Sequence, residues 1–165
     1  SDCSKAIEIN GRFAEAYNNR GNVYALQKQY DKAVADFSKA IEIHPAYAEA
    51  YYNRGVTYNQ KDQHDEAISD YTKAIQLNPS YAGAYCNRGL EYGRKGQYDE
   101  AIADLSMAIE IDPNMAEAYN NRAVAHVGKR EYDKALQDVN AAQKLGYEVP
   151  ARLLEVLGKT PGDDK

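Results

Sequence analysis

Apolar, aromatic and small residues return along this chain at a three-then-four spacing that restarts every 34 residues. Counted from Ala14, the residues Tyr17, Arg20, Gly21 and Tyr24 take positions 4, 7, 8 and 11, on one face of an amphipathic helix. After a polar break such as Lys95-Gly96-Gln97, a second helix is predicted to start with Asp31, Asp65, Asp99 and Asp133 as N-caps. Its inner face reads Val34, Phe37, Ala40, Ile41 in one copy and Ile102, Leu105, Ala108, Ile109 in another. Pro45, Pro79 and Pro113 then stop it, because proline cannot continue a helix.

The copies span 14–47, 48–81, 82–115 and 116–149, with Ala123 where the others have Gly21, Gly55 and Gly89. A period of this length belongs to solenoids, in which each unit buries its apolar face only against its neighbours. Residues 1–13 read as the second helix of a truncated preceding copy: Asp2, Ala6, Ile7 and Ile9 align with Asp36, Ala40, Ile41 and Ile43. The chain is therefore expected to be a piece of a longer protein. After the fourth copy a capping helix is predicted over 150–159, with Pro150 in its first turn and a flexible tail over 160–165. Leu153, Val156 and Leu157 are expected to face the stack, and Arg152 and Glu155 the water.

Small residues at positions 8, 20 and 27, such as Gly21, Ala33 and Ala40, let the paired helices approach closely, while tyrosines at 4 and 11 are expected to fill space between copies. The run Tyr-x2-Arg-Gly-x2-Tyr, followed by Ala-x3-Phe and Pro, resembles the tetratricopeptide repeat, Trp-x2-Leu-Gly-x2-Tyr, then Ala-x3-Phe and Pro. The resemblance covers essentially residues 1–149. It implies an all-α, right-handed superhelical α-solenoid of antiparallel helix pairs. It also implies that the first helices line a concave groove with positions 2, 5, 6, 9, 12 and 13. The departures are Tyr for Trp at position 4, Arg for Leu at position 7, and Tyr147 where a fourth proline would stand.

The arginines have internal candidates for partners. Arg20, Arg54, Arg88 and Arg122 recur with Asp36, Asp70, Asp104 and Asp138 at position 23, which points to an ion pair between the helices of each copy. The alternative is a basic ladder for ligand phosphates or carboxylates.

Groove positions carry the expectation of function. Position 6 is Asn19, Asn53, Asn87 and Asn121, and resembles the asparagine rows with which some tetratricopeptide proteins hold a peptide backbone. An amide both donates and accepts, so it can bond an extended chain without reading its side chains. Position 5 is Asn18, Tyr52, Cys86 and Asn120, and position 9 is Asn22, Val56, Leu90 and Val124. Position 2 is Glu15, Glu49, Gly83 and Glu117. An apolar and aromatic middle with an acidic edge suits an extended segment with an apolar side chain near Tyr52 and Leu90 and a basic one near the glutamates. The family's carboxylate clamp is not supported. Asn22 and Asn53 match two of its amides, yet positions 2 and 5 hold no Lys or Arg, and only Arg94 offers groove charge.

Composition narrows the partner. With 25 Asp and Glu against 20 Lys and Arg, and no basic block or phosphate loop, nucleic acid is not expected. No apolar run reaches the roughly 20 residues of a membrane-spanning helix. His44, His64 and His126 fall at positions 31, 17 and 11, without metal-ligand spacing, so no metal or cofactor is expected. His126 reads as a hydrogen-bonded histidine between helices, and Cys3 and Cys86 as small buried or half-buried thiols. The chain is expected to be a cytoplasmic, non-catalytic scaffold that binds a protein or peptide in its groove. The alternatives are self-association through exposed solenoid ends, including Ile7 and Ile9, and a substrate-binding arm of a larger enzyme.

Overall fold

A computed structural model describes residues 13–158. Residues 1–12, Cys3 among them, and residues 159–165, which include the last residue of the expected capping helix and the expected tail, therefore lie outside the described residues. Among the described residues there are nine helices and no strand. They are α1 (Ala14–Leu26), α2 (Tyr30–Ile43), α3 (Ala48–Asn59), α4 (His64–Leu77), α5 (Ala82–Arg94), α6 (Tyr98–Ile111), α7 (Ala116–Gly128), α8 (Tyr132–Lys144) and α9 (Ala151–Val156). The fold is all-α, built of antiparallel helix pairs with a final short helix. The chain divides into two compact units, Ser1–Ala84 and Tyr85–Lys165.

In the first unit α1 pairs with α2 and α3 with α4, while α2 also packs against α3. The close approach inside each pair depends on glycine. A β-carbon on Gly21 would lie 2.7 Å from the Phe37 ring, and one on Gly55 2.8 Å from the Tyr71 ring. Phe37 and Tyr71 are fully buried there.

The second unit repeats the arrangement. Gly89 meets Leu105, and Ala123 shares a buried cluster with the smaller Val139. The cluster continues through Ala142 and Val149 to Leu153 and Leu154 of α9. The capping helix was expected to turn Val156 inward, but Val156 is 51% exposed and Leu154 is buried instead. The helix has only six residues, so its buried stripe centres on the adjacent pair Leu153 and Leu154 beside Val149. Arg152 and Glu155 are exposed as expected.

The second helices begin earlier than the sequence suggested. Gln29, Gln63, Gln97 and Glu131 take the N-cap place without a side-chain cap bond, and the aspartates fall in the first turn. The backbone explains the difference. Each preceding helix ends in a Schellman turn, in which the Gln29 amide donates to the Tyr24 carbonyl at 2.9 Å and the Lys28 amide to Ala25 at 2.9 Å. Gln29 then offers its own carbonyl to the Ala33 amide at 3.1 Å, so one residue closes one helix and opens the next. The same turn places Lys28, Asp62 and Arg130 at φ 58°, 56° and 61°, and Gly96 at φ 74°. The aspartates still favour the helix start through its dipole.

Every copy carries the Arg–Asp clasp. Arg20 donates from Nε and Nη2 to Asp36 at 2.6 and 2.7 Å, Arg54 to Asp70 at 2.7 and 2.8 Å, and Arg88 to Asp104 at 2.7 and 2.8 Å. Arg122 does the same with Asp138 at 2.8 and 2.7 Å. Such two-pronged bonds occupy the guanidinium fork, which removes the ladder reading. The tyrosines at positions 4 and 11 do not simply fill space between copies. Tyr17 and Tyr24 hold the Arg20 guanidinium at 5.5 and 5.8 Å from their ring centres, a cation–π sandwich repeated at Arg54 and Arg88. In the last copy His126 replaces the second ring; its Nδ1 lies 2.7 Å from Glu131 and its Nε2 3.8 Å from Asp138.

Successive copies are tied by polar side chains as well as by packing. Arg54 reaches back to the Ser38 hydroxyl at 2.9 Å and Arg122 to Ser106 at 2.9 Å. Lys61 pairs with Asp31 at 2.7 Å, and Lys129 pairs with Asp99 at the corresponding positions. No helix among the described residues is long and apolar enough to cross a membrane.

Candidate functional site

The candidate face in the first unit is made by α1 and α3. Position 5 on this face belongs to the interior. Asn18 is fully buried, donating to Glu49 Oε1 at 3.4 Å and accepting from Asn53 Nδ2 at 3.1 Å. One copy's position 5 is thus bracketed by positions 2 and 6 of the next. In the second unit Asn121 Nδ2 approaches the buried Cys86 sulfur at 4.0 Å. Burial, and then the Glu117 charge, push that thiol up to about 12.

This bracket accounts for the odd member of the position 2 row. A β-carbon on Gly83 would lie 3.3 Å from the Tyr52 hydroxyl, so the tyrosine fills the space that Glu49 takes beside Asn18. Asn18 and Asn120, both expected along the groove, are buried. Asn120 donates to Asn121 Oδ1 at 3.4 Å, while its own Oδ1 is buried without a hydrogen-bond partner. The family resemblance implied a concave place for position 5, but neighbouring copies stand close enough to bury Asn18, Cys86 and Asn120.

The position 6 amides are more accessible. Asn19 is exposed, and Asn53, Asn87 and Asn121 are half-buried. Asn53 and Asn121 each spend one donor on the preceding copy, which fixes how their amides point.

At the N-terminal ends of α1 and α3, Glu15 and Glu49 are exposed. Burial, then Glu49 and Glu15, push the Tyr47 phenol above its usual range, against a hydrogen bond with Asn18. Tyr81 is pushed up to about 12 by burial, then by Tyr52 and Glu49. The Tyr52 and Tyr81 ring centres are 4.7 Å apart. Sequence reasoning missed Tyr47 and Tyr81; their signal was the recurrence of an aromatic at position 34, as in Phe13.

At the C-terminal ends of the same two helices lies a cavity of about 540 Å³. Asn22 and Val56, expected from position 9, line it together with Ala25, Leu26, Thr57 and Gln60, and Lys28 and Tyr30 complete it. Leu26 is 85% exposed. Ala25, Leu26 and Gln60 sit at positions 12 and 13, which the family pattern assigns to the groove and which the sequence reading left unnamed.

In the second unit Leu90 is half-buried and Val124 is 50% exposed. Arg94 is not a spare charge: its Nη1 donates at 2.8 Å to Glu91, whose side chain is fully buried. Nothing in the sequence marked Glu91, which stands where other copies have Thr57 and Ala125. Among the described residues no three His, Cys, Asp or Glu side chains gather as a metal site would require.

The family model for the tetratricopeptide repeat matches residues 14–47, 48–81 and 82–115. The chain belongs to the tetratricopeptide repeat family. Among curated proteins none matches it. A crystal structure of MamA superposes with a TM-score of 0.81 at 28% identity, covering 87% of this chain and 84% of that one. The first tetratricopeptide domain of Spaghetti (RPAP3), bound to the HSP90 peptide SRMEEVD, gives a TM-score of 0.70 at 29% identity over 71% of this chain and 93% of that one. The tetratricopeptide domain of Arabidopsis OM64 gives 0.65 at 27% identity, over 72% and 95%. Tetratricopeptide repeats are typically non-catalytic and generally mediate interactions between proteins.

Proposed function

We propose that this chain is a non-catalytic interaction scaffold that takes an extended peptide segment, or a partner's helix, along the face of its first helices. The observation that carries the reading is the cavity of about 540 Å³ between α1 and α3. Its size is that of ordinary ligand pockets, and it joins apolar walls from Leu26 and Val56 to a few amides from Asn22 and Gln60. Asn19 and Asn53 lie further along the same helices and can bond a peptide backbone. In the second unit Asn87, Asn121, Leu90 and Val124 present the same residue types, and residues 116–149 act as a fourth repeat. The relative from RPAP3, which carries a peptide, supports the mode of binding but not the identity of the partner.

The test is to recover a partner from native lysate and titrate it against the wild type and the Asn19→Ala/Asn53→Ala variant. Loss of two side-chain hydrogen bonds should weaken binding by roughly tenfold. Unchanged affinity, with unchanged melting, sinks the reading.

A further inference from the structure

In the first unit two exposed glutamates and an apolar cavity occupy opposite ends of the same two helices. Glu15 and Glu49 stand at position 2, and among the described residues neither forms an ion pair. Glu49 has only the amide of Asn18, at 3.4 Å. The Tyr47 phenol feels the charges of Glu49 and Glu15, and the Tyr81 phenol that of Glu49. The cavity centres some nine residues further along, roughly 14 Å at the helical rise per residue. An extended chain covers that span with about four residues.

We propose that this face selects an extended segment with a Lys or Arg about four residues from a bulky apolar side chain. The cation meets Glu15 and Glu49, the apolar group enters the cavity beside Leu26 and Val56, and Asn19 and Asn53 bond the backbone between them. The proposal rests on the reading that the first-helix face binds peptide, and it adds which peptide. Charge complementarity decides the sign: a segment with Asp or Glu in place of the cation would bring carboxylates against two glutamates that have no counter-charge among the described residues. Glu49 is already held by a neutral amide, so a cation gains an acceptor without displacing an existing partner.

The experiment is selection of binders to the full chain from a displayed library of random dodecapeptides, followed by anisotropy titration of the enriched peptides. The wild type, Glu15→Gln/Glu49→Gln and Leu26→Ser are compared, with enriched peptides whose Lys or Arg is replaced by Glu as a further probe. All three substituted residues are exposed, so melting curves should match the wild type. Enriched peptides are expected to carry Lys or Arg three to five residues from Leu, Ile or Phe. Each variant should bind them roughly threefold to tenfold more weakly, and the Glu-substituted peptides should bind the wild type at least about tenfold more weakly than the enriched peptides do. Enriched peptides that are acidic, or that bind both variants as tightly as the wild type, overturn this selectivity and leave peptide binding standing. No enrichment at all overturns both readings.

Discussion

A β-carbon on Gly89 would stand 2.8 Å from Leu105 Cγ, closer than two carbons can approach without movement. In the last copy, where the facing residue is the smaller Val139, the glycine is replaced by Ala123. The helix gap is therefore set jointly by the two positions. Gly89→Ala should destabilise by about 1–3 kcal/mol through overpacking, although alanine favours helix by about 1 kcal/mol. Gly89→Ala/Leu105→Val should recover most of the loss in urea unfolding. A single substitution that stabilises would refute the close approach.

Arg54 and Asp70 form a two-pronged pair whose side chains are 19% and 7% exposed. Burial pushes the Asp70 carboxyl up, against the pull of Arg54. Arg54→Leu should therefore cost about 3 kcal/mol, because it strands a desolvated carboxylate, while Arg54→Leu/Asp70→Leu should fall within about 1 kcal/mol of the wild type. A double-mutant cycle with no coupling would show that the clasp contributes nothing as a pair.

Lys28 and Arg130 hold the left-handed conformation that Gly96 adopts freely in the third copy. Lys28→Gly and Arg130→Gly should each raise stability by about 1 kcal/mol, and Gly96→Lys should lower it by a similar amount. Thermal melts of the three variants check the sign, and a lower melting temperature for both glycine variants would contradict it.

These turns mark where the sequence stopped being legible. The 34-residue period, the helix pairing and the Arg–Asp clasp were readable because each repeats in register. The left-handed turn was hidden because three of its four residues, Lys28, Asp62 and Arg130, are not glycine. That same turn moved the N-cap from Asp31 to Gln29. Asn18 was expected in the groove because the family pattern assigns position 5 there, and that pattern does not give how closely the next copy stands. The cavity at Leu26 and Gln60 was unreadable for a related reason: it exists only where the ends of α1 and α3 stand side by side.

Burial, then Tyr52 and Glu49, push the Tyr81 phenol up to about 12 in the folded chain, from an ordinary value of 10. An acid whose folded value is raised binds its proton more tightly when folded, so its contribution is complete below pH 10 and is lost as pH rises from 10 to 12. Tyr81→Phe should remove part of the alkaline fall in stability. Unfolding curves between pH 9 and 12 that are parallel for the two proteins would contradict the assignment.

The central claim is that ligands engage the first helices. Amide shift mapping with a bound peptide tests it most directly. The account predicts that the largest changes in the first unit fall on Asn19, Leu26, Asn53 and Val56. Changes confined to the second helices, at residues such as Ser69 and Lys73, with α1 and α3 silent, would contradict it.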